Sequence, residues 1–269
     1  MNTIQQYVES KECTGCFACA DICPSNAIQG QYIDDALYPI IDNASCTQCG
    51  LCTKVCPAKK DYVYERENAE VQTFAAWSTD VALRKAGASG GVFGAIAKTF
   101  IQNGGEVYGA TIDQLRIKHT SINQIEDIPL LQNSKYQQGD LTGIYKEICK
   151  KLENKKSVLF SGTPCQVAAL LSYLNCKKVT GDLITVDFIC GGFPTEKPLK
   201  LFLQTCKESV QSICSFRNKN HGWKPQGYKY EFIGSSGNLV GRFFDVLCSE
   251  PRQRLVTWGE KSQLIVRIK

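Results

Sequence analysis

Two stretches of this sequence carry cysteines at a spacing suited to iron–sulfur chemistry. Residues 13–24 read C-T-G-C-F-A-C-A-D-I-C-P, and residues 46–57 read C-T-Q-C-G-L-C-T-K-V-C-P. Both follow C-x2-C-x2-C-x3-C-P, and the copies start 33 residues apart. Three closely spaced thiolates on one loop wrap three corners of an iron–sulfur cube. The same loop cannot supply the fourth corner without strain, and in two-cluster ferredoxins the other copy donates it. By that rule Cys13, Cys16, Cys19 and Cys56 hold one 4Fe-4S cluster, and Cys46, Cys49, Cys52 and Cys23 hold a second. The chemistry is one-electron transfer. Zinc is the alternative metal, but zinc ribbons use two CxxC pairs rather than four spaced cysteines followed by proline. Pro24 and Pro57 start the outgoing turns, while Gly15 and Gly50 let backbone N–H groups approach the sulfurs and tune the potential.

Three further constellations are weaker. Ser89, Gly90 and Gly91 precede an apolar helical stretch, and a glycine turn at a helix start suits a phosphate. A plain turn is the alternative, since the dinucleotide fingerprint is absent. Ser161-Gly162-Thr163-Pro164-Cys165-Gln166 follows an apolar strand. Thr163 is a good N-cap and Pro164 a good first helical residue, which puts Cys165 where the helix dipole favours a thiolate. Cys190 ends the next apolar strand. The two cysteines share a pocket, bind a further cluster, or simply pack. His221-Gly222-Trp223-Lys224 offers a ring for stacking and a cation for an anion; a solvated loop is the alternative. Cys149, Cys176, Cys206, Cys214 and Cys248 show no ligand spacing.

These residues need elements to position them. The charged stretch at 58–70 reads as a linker. Beyond it, residues 71–77 predict a strand, 87–91 a glycine turn, 92–102 a helix and 106–112 a strand. The alternation continues with a helix at 141–152, a strand at 157–161, a helix at 164–174, a strand at 183–190 and a helix at 195–208. Strands at 210–216 and 228–233 follow. The fold class expected is an α+β ferredoxin-like iron–sulfur domain at 1–60, a linker at 61–70 and an α/β flavin-binding domain at 71–245, followed by an atypical tail at 246–269.

Of 15 cysteines in 269 residues, 8 lie between Cys13 and Cys56, a density that reads as metal ligation rather than disulfides. The formal charge of +5 shrinks to about +1 once two clusters of about −2 each are counted. Basic residues are dispersed, which argues against a nucleic-acid partner. The longest apolar run, 183–193, is short of the roughly 18 residues of a membrane span and contains Asp187. With no basic-then-apolar leader, a cytoplasmic location and no integral membrane segment are expected.

Ser89-Gly90-Gly91-Val92-Phe93, Lys135-Tyr136-Gln137, Gly162-Thr163-Pro164-Cys165-Gln166, Asp187-Phe188-Ile189-Cys190-Gly191-Gly192, Phe216-Arg217-Asn218-Lys219 and Gly222-Trp223-Lys224 occur in that order. The ordered set resembles the coenzyme F-420 hydrogenase/dehydrogenase beta-subunit family, in its version with an N-terminal two-cluster ferredoxin domain. The resemblance covers residues 10–245. It implies FAD, with F-420 as a substrate in some members, and a flavin site lined by Ser89, Gly90, Gly91, Gly162, Thr163 and Pro164; the residue reading adds Lys224 as an anion contact of the cofactor. It also implies Cys165 and Cys190 as ligands of an additional cluster. The later CxxC pair of the family is not in this sequence, so the expectation is a shortened, loosely packed C-terminus and no stable third cluster.

The function expected is therefore an oxidoreductase passing electrons between 4Fe-4S clusters and a flavin, deazaflavin or other organic two-electron substrate. Its partner is a redox protein or a small organic donor or acceptor. The alternatives are a non-catalytic ferredoxin-type subunit of a larger redox complex, and a thiol reductase built on Cys165.

Overall fold

The computed structural model describes residues 4–9, 11–59, 72–188, 190–193, 196–216, 229–244 and 264–268. The cysteine segment contains α1 (Gln5–Glu9), α2 (Ala18–Ile22), the strands β1 (Ile28–Ile33) and β2 (Ala36–Ile41), and α3 (Leu51–Lys54). The two strands form an antiparallel hairpin, with Ile33 opposite Ala36 at its closed end.

The rest builds around a mixed six-stranded sheet. In chain order come α4 (Val81–Ala86), α5 (Val92–Gln102), β3 (Glu106–Asp113), β4 (Arg116–Ile122), α6 (Ile128–Leu131), β5 (Gly139–Asp140) and α7 (Ile144–Glu153). β6 (Val158–Gly162), α8 (Pro164–Lys177), β7 (Leu183–Phe188) and α9 (Lys197–Thr205) follow. Then come β8 (Val210–Ser215), β9 (Lys229–Gly234), β10 (Leu239–Phe244) and β11 (Leu264–Ile268). The sheet order is β11-β7-β6-β3-β4-β5, and β10-β9-β8 form a separate antiparallel sheet. β3, β6 and β7 are parallel, whereas β4 and β11 run antiparallel to their neighbours β3 and β7.

Local chemistry explains the helix starts. Asp80 caps α4, accepting from the amides of Ala82 and Leu83 at 3.0 and 3.2 Å. At α8 the Gln166 side chain accepts from the Thr163 amide at 2.8 Å, the reciprocal half of a capping box. In α7, Ile144, Tyr145, Ile148, Cys149 and Leu152 recur at helical spacing and are all buried. Helices α5, α7 and α8 each lead into or out of a parallel strand, so all three begin at the edge where β3, β6 and β7 end. Ligands of open α/β sheets bind at that edge.

The two sheet faces have separate cores. On one, α5 packs through Ala97 against Val107, Leu159 and Val186. On the other, α7 and α8 cover Tyr108, Val158, Phe160 and Leu183, and Cys16, Ala18, Ile22 and Val55 of the cysteine segment join the same cluster. A third cluster, Ile117, Ile213, Phe216 and Phe232, joins the small sheet to the β4 side.

The expected elements shift in several places. Residues 72–77 form no strand: among the described residues no strand pairs with this run, and Phe74 and Trp77 are 78% and 65% exposed. The strand of 183–190 ends at Phe188, leaving Cys190 in the following loop. Strand β4, with its charged outward residues, was not expected. Against the loosely packed tail that was expected, Leu264–Ile268 pairs antiparallel with β7. Lys224, the linker at 61–70 and residues 246–263 lie outside the described residues. Among the described residues no helix is long and apolar enough to cross a membrane.

Candidate metal and electron-transfer site

The cysteine loops repeat in conformation as well as in sequence. Gly15 and Phe17 in the first copy, and Gln48 and Gly50 in the second, all have φ between 56° and 73°. Left-handed residues at the second and fourth positions after the leading cysteine turn successive amides inward, the geometry of an anion-binding nest. Glycine takes one such position in each copy at no steric cost; Phe17 and Gln48 take the other under constraint of the loop. The Gly15 amide donates to Cys13 Sγ at 3.4 Å, and the Ala27 amide to Cys23 Sγ at 3.4 Å.

The cysteines gather around two cavities. Cys23, Cys46, Cys49 and Cys52 line one of about 240 Å³. Cys13, Cys16, Cys19 and Cys56 line a narrower one of about 10 Å³. The grouping is crossed, with Cys56 beside the first copy and Cys23 beside the second. Neither lining contains an Asp, Glu or His, so each donor set is four soft sulfurs, which suits an iron–sulfur cluster. Among the described residues no three Cys, His, Asp or Glu side chains meet closely enough for a single ion. The thiols surround space instead of converging on a point.

Electrostatics separates the groups. Burial pushes Cys16 and Cys19 well above the ordinary thiol range, and neighbouring thiols push the same way. Burial also raises Cys56 to about 11 and lifts Cys13. Four buried thiols of this kind ionise together only beside compensating positive charge, which a cluster's iron core supplies. Burial opposes ionisation of Cys23 too, but hydrogen bonds from Ser25 and nearby amides outweigh it and lower its pKa.

The cysteine segment docks onto the sheet through residues that sequence reasoning passed over. Asp21, inside the first motif and 3% exposed, accepts from the first turn of α7. The Gly143, Tyr145 and Lys146 amides reach it at 2.7, 2.9 and 3.3 Å. The Tyr145 hydroxyl donates back to the Cys16 carbonyl at 2.9 Å. The Gln138 side chain pairs with the Leu37 backbone, accepting from its amide and donating to its carbonyl, both at 2.7 Å. A carboxylate set among four closely spaced cysteines was a signal for Asp21, because its charge works against thiolates unless it is turned elsewhere. Nothing near Gln138 marks it.

Docking brings Cys165 to the inner cysteines. Its thiol lies 3.1 Å from the Thr163 hydroxyl and also bonds Thr14 of the first cysteine loop. Cys13 and Cys16 are within electrostatic reach of it, as is Cys190. Burial raises both Cys165 and Cys190, so neither is a ready thiolate despite the helix start.

The glycine turns are more closely packed than an open cradle. A Cβ at Gly90 would lie 3.1 Å from the Ala76 carbonyl oxygen, and one at Gly91 2.7 Å from Arg84 Cα. A Cβ at Gly162 would meet Gln166 Oε1 and Phe160, both at 2.9 Å. Ser89, Gly90 and Gly91 stand at the start of α5 and Gly162, Thr163 and Pro164 at the start of α8, on opposite faces of the sheet but at the same edge.

Comparison with known proteins agrees at the cysteine segment. Residues 12–60 match the 4Fe-4S dicluster domain family. This segment is an iron–sulfur electron-transfer domain. No curated protein matches the chain. Among solved structures, a chain from the xenon-derivatised F420-reducing [NiFe] hydrogenase complex of Methanosarcina barkeri aligns at 20% identity with a TM-score of 0.43. The alignment covers 61% of this chain and 57% of that one, a likeness too slight to carry fold or function across.

Proposed function

We propose that this chain is an iron–sulfur oxidoreductase, or the electron-converting subunit of one, of the coenzyme F-420 hydrogenase/dehydrogenase beta-subunit type. Cys13, Cys16, Cys19 and Cys56 hold the inner 4Fe-4S cluster, and Cys46, Cys49, Cys52 and Cys23 the outer one. FAD binds at the strand-end edge of the six-stranded sheet, and F-420 or another organic two-electron compound exchanges electrons there with a redox partner.

The observation that carries this reading is the docking of the first cysteine loop on the start of α8, where Thr14 and Thr163 both hold Cys165. An electron-transfer domain is thereby seated at the sheet edge suited to an organic ligand. Cys49 is exposed while Cys16 and Cys19 are buried, which orders the path from an outer partner inward. A flavin takes up two electrons together and releases them singly, which joins one-electron clusters to a two-electron substrate. The protein's own contribution is to position: Asp21 and Tyr145 fix the inner loop, and Gln138 fixes the hairpin beside it.

Anaerobic purification with iron, sulfide and flavin analysis tests the reading. About eight iron atoms and one flavin per chain are expected. Cys23→Ser is expected to damage the cluster of Cys46, Cys49 and Cys52. Loss confined to the cluster of Cys13, Cys16 and Cys19 refutes the crossed ligation. Full iron with no flavin uptake leaves a simple electron carrier.

A further inference from the structure

Cys49 is the one exposed cysteine among the eight that surround the two cavities; Cys23, Cys46 and Cys52 beside it are half-buried. The loop that carries it meets solvent as an uncharged rim. Residues 43–53 contain no charged side chain, and Thr47 and Gln48 are exposed. Lysines stand to one side of this rim. Lys54, the exposed last residue of α3, follows Cys52 by two positions, and its carbonyl accepts from the Ser172 hydroxyl of α8 at 3.3 Å. Lys146 of α7 reaches across to Asn26, three residues after Cys23, with 3.5 Å between Nζ and Oδ1. Lys150 lies one turn further along α7 and is exposed. Lys177, exposed near the end of α8, comes close enough to Cys149 of α7 to favour its thiolate.

Most acids on this side are turned away. Asp21 faces the amides of α7, and Glu147 accepts from the Tyr108 hydroxyl at 2.9 Å. Asp42 turns back on the Ser45 hydroxyl and the Ala44 amide, at 2.6 and 3.0 Å. Glu153, exposed and 3.8 Å from Cys149 Sγ, is the acid set among the lysines. Basic residues that are dispersed along the sequence are thus gathered by α3, α7 and α8 into one patch at the outer cysteines.

An uncharged centre loses little on desolvation and admits close approach, while a charged flank steers a partner of opposite sign. Resting on the function proposed above, we infer that a small acidic electron-carrier protein docks on this face. Its carboxylates meet Lys54, Lys146, Lys150 and Lys177, and its one-electron centre comes up against Cys49. One electron passes between that centre and the outer 4Fe-4S site, one side oxidised as the other is reduced, with no bond or proton exchanged. A protein fits better than a small donor, because the space enclosed by the four outer thiols belongs to their own cluster and what remains is a surface. It fits better than nucleic acid, because a polyanion is held by positive charge all along its track and the centre here is neutral.

The test uses the iron-loaded full chain, with an acidic plant-type [2Fe-2S] ferredoxin as the probe. The dissociation constant is read by calorimetry, and the second-order rate constant for electron exchange by stopped flow, in the direction that runs downhill. Iron content and cluster absorbance are checked in every variant, so that lost ligation is not mistaken for lost docking. At about 10 mM salt, where the Debye length is roughly 30 Å, Lys54→Glu combined with Lys146→Glu is expected to weaken binding and slow exchange about thirtyfold. At about 1 M salt, where that length is roughly 3 Å, parent and double variant are expected to agree within about twofold. A basic c-type cytochrome is expected to give the opposite sign, reacting faster with the double variant than with the parent. Lys85→Glu, exposed in α4 beside α5 on the far sheet face, is expected to leave both readings within about twofold. No loss in the double variant, an equal loss in Lys85→Glu, or a parent without salt-dependent affinity for the ferredoxin overturns the inference. So does tighter lysine-dependent binding of a single-stranded oligonucleotide or of anionic-lipid vesicles. Neither reading involves flavin: a chain that docks ferredoxin as expected but takes up no FAD refutes the flavin part of the proposed function and keeps this surface. A chain that assembles no cluster overturns both.

Discussion

Asp21→Ala removes an acceptor shared by three amides at the start of α7, and its effect follows from the geometry. Two of the contacts are short, at 2.7 and 2.9 Å, and the third, at 3.3 Å, adds little. Hydrogen bonds to a charged acceptor contribute roughly 1.5–3 kcal/mol each. Burial raises the Asp21 carboxyl despite these amides, so desolvation offsets part of the gain and the low end applies. Two bonds at about 1.5 kcal/mol give about 3 kcal/mol, or roughly a hundredfold in a local opening equilibrium. Native-state hydrogen exchange of the iron-loaded protein reads this at the Tyr145 and Lys146 amides. Exchange is expected to speed up about a hundredfold in Asp21→Ala and roughly tenfold in Asp21→Asn, which keeps one carbonyl acceptor. Iron content is measured in parallel, because Asp21 stands between Cys19 and Cys23. Exchange within threefold of the parent, or equal acceleration in α5 on the far face, refutes a local clamp.

Two other outcomes follow from the same geometry. Gly15 has φ +64°, and a Cβ there would run into the Gln138 amide and lie 3.0 Å from the Leu37 carbonyl. Gly15→Ala is expected to cost about 2–3 kcal/mol in unfolding stability. It should be strongly non-additive with Gln138→Ala; full additivity would mean that the two side chains do not share one contact. Burial raises the Asp187 carboxyl from 3.8 to about 6. The folded state then binds that proton more tightly than the unfolded state, so stability falls as pH rises from about 4 to about 6. Asp187→Asn is expected to flatten this part of the melting-temperature profile, and an unaltered slope would show that the carboxyl is well solvated.

The grouping of the cysteines around two cavities was legible because cluster chemistry fixes their spacing over a few residues. The start of α8 was legible for the same local reason, since Thr163 and Pro164 carry their roles within one turn, whereas the reciprocal Gln166 bond emerged only in the structure. Left-handed Phe17 and Gln48 were not, because neither residue type favours that conformation and the loop imposes it. Long-range roles were also invisible. Asp21 meets a partner 122 residues away, and Gln138 meets one 101 residues away. His119 sits in a strand whose inward positions, Ile117, His119 and Ser121, are mostly polar, so its burial showed only once β3 and β6 were beside it. Residues 72–77 mislead in the opposite direction, with strand-forming side chains such as Thr73, Phe74 and Trp77 but no strand to join among the described residues.

The pairing of Gln138 with Leu37 also bears on association between copies. A two-stranded ribbon such as β1–β2 has open edges, and an open edge is a template for a foreign strand. The Gln138 amide occupies the outward N–H and C=O of Leu37 much as a third strand would. The turn of the ribbon is held as well: the Glu196 amide donates to the Asp35 carbonyl at 3.1 Å, and Lys200 pairs with the Asp35 carboxylate at 2.7 Å. The α/β region thus shields its neighbour from self-pairing. A fragment confined to the cysteine segment bares the β2 edge, and edge-to-edge association is the failure that such a fragment invites.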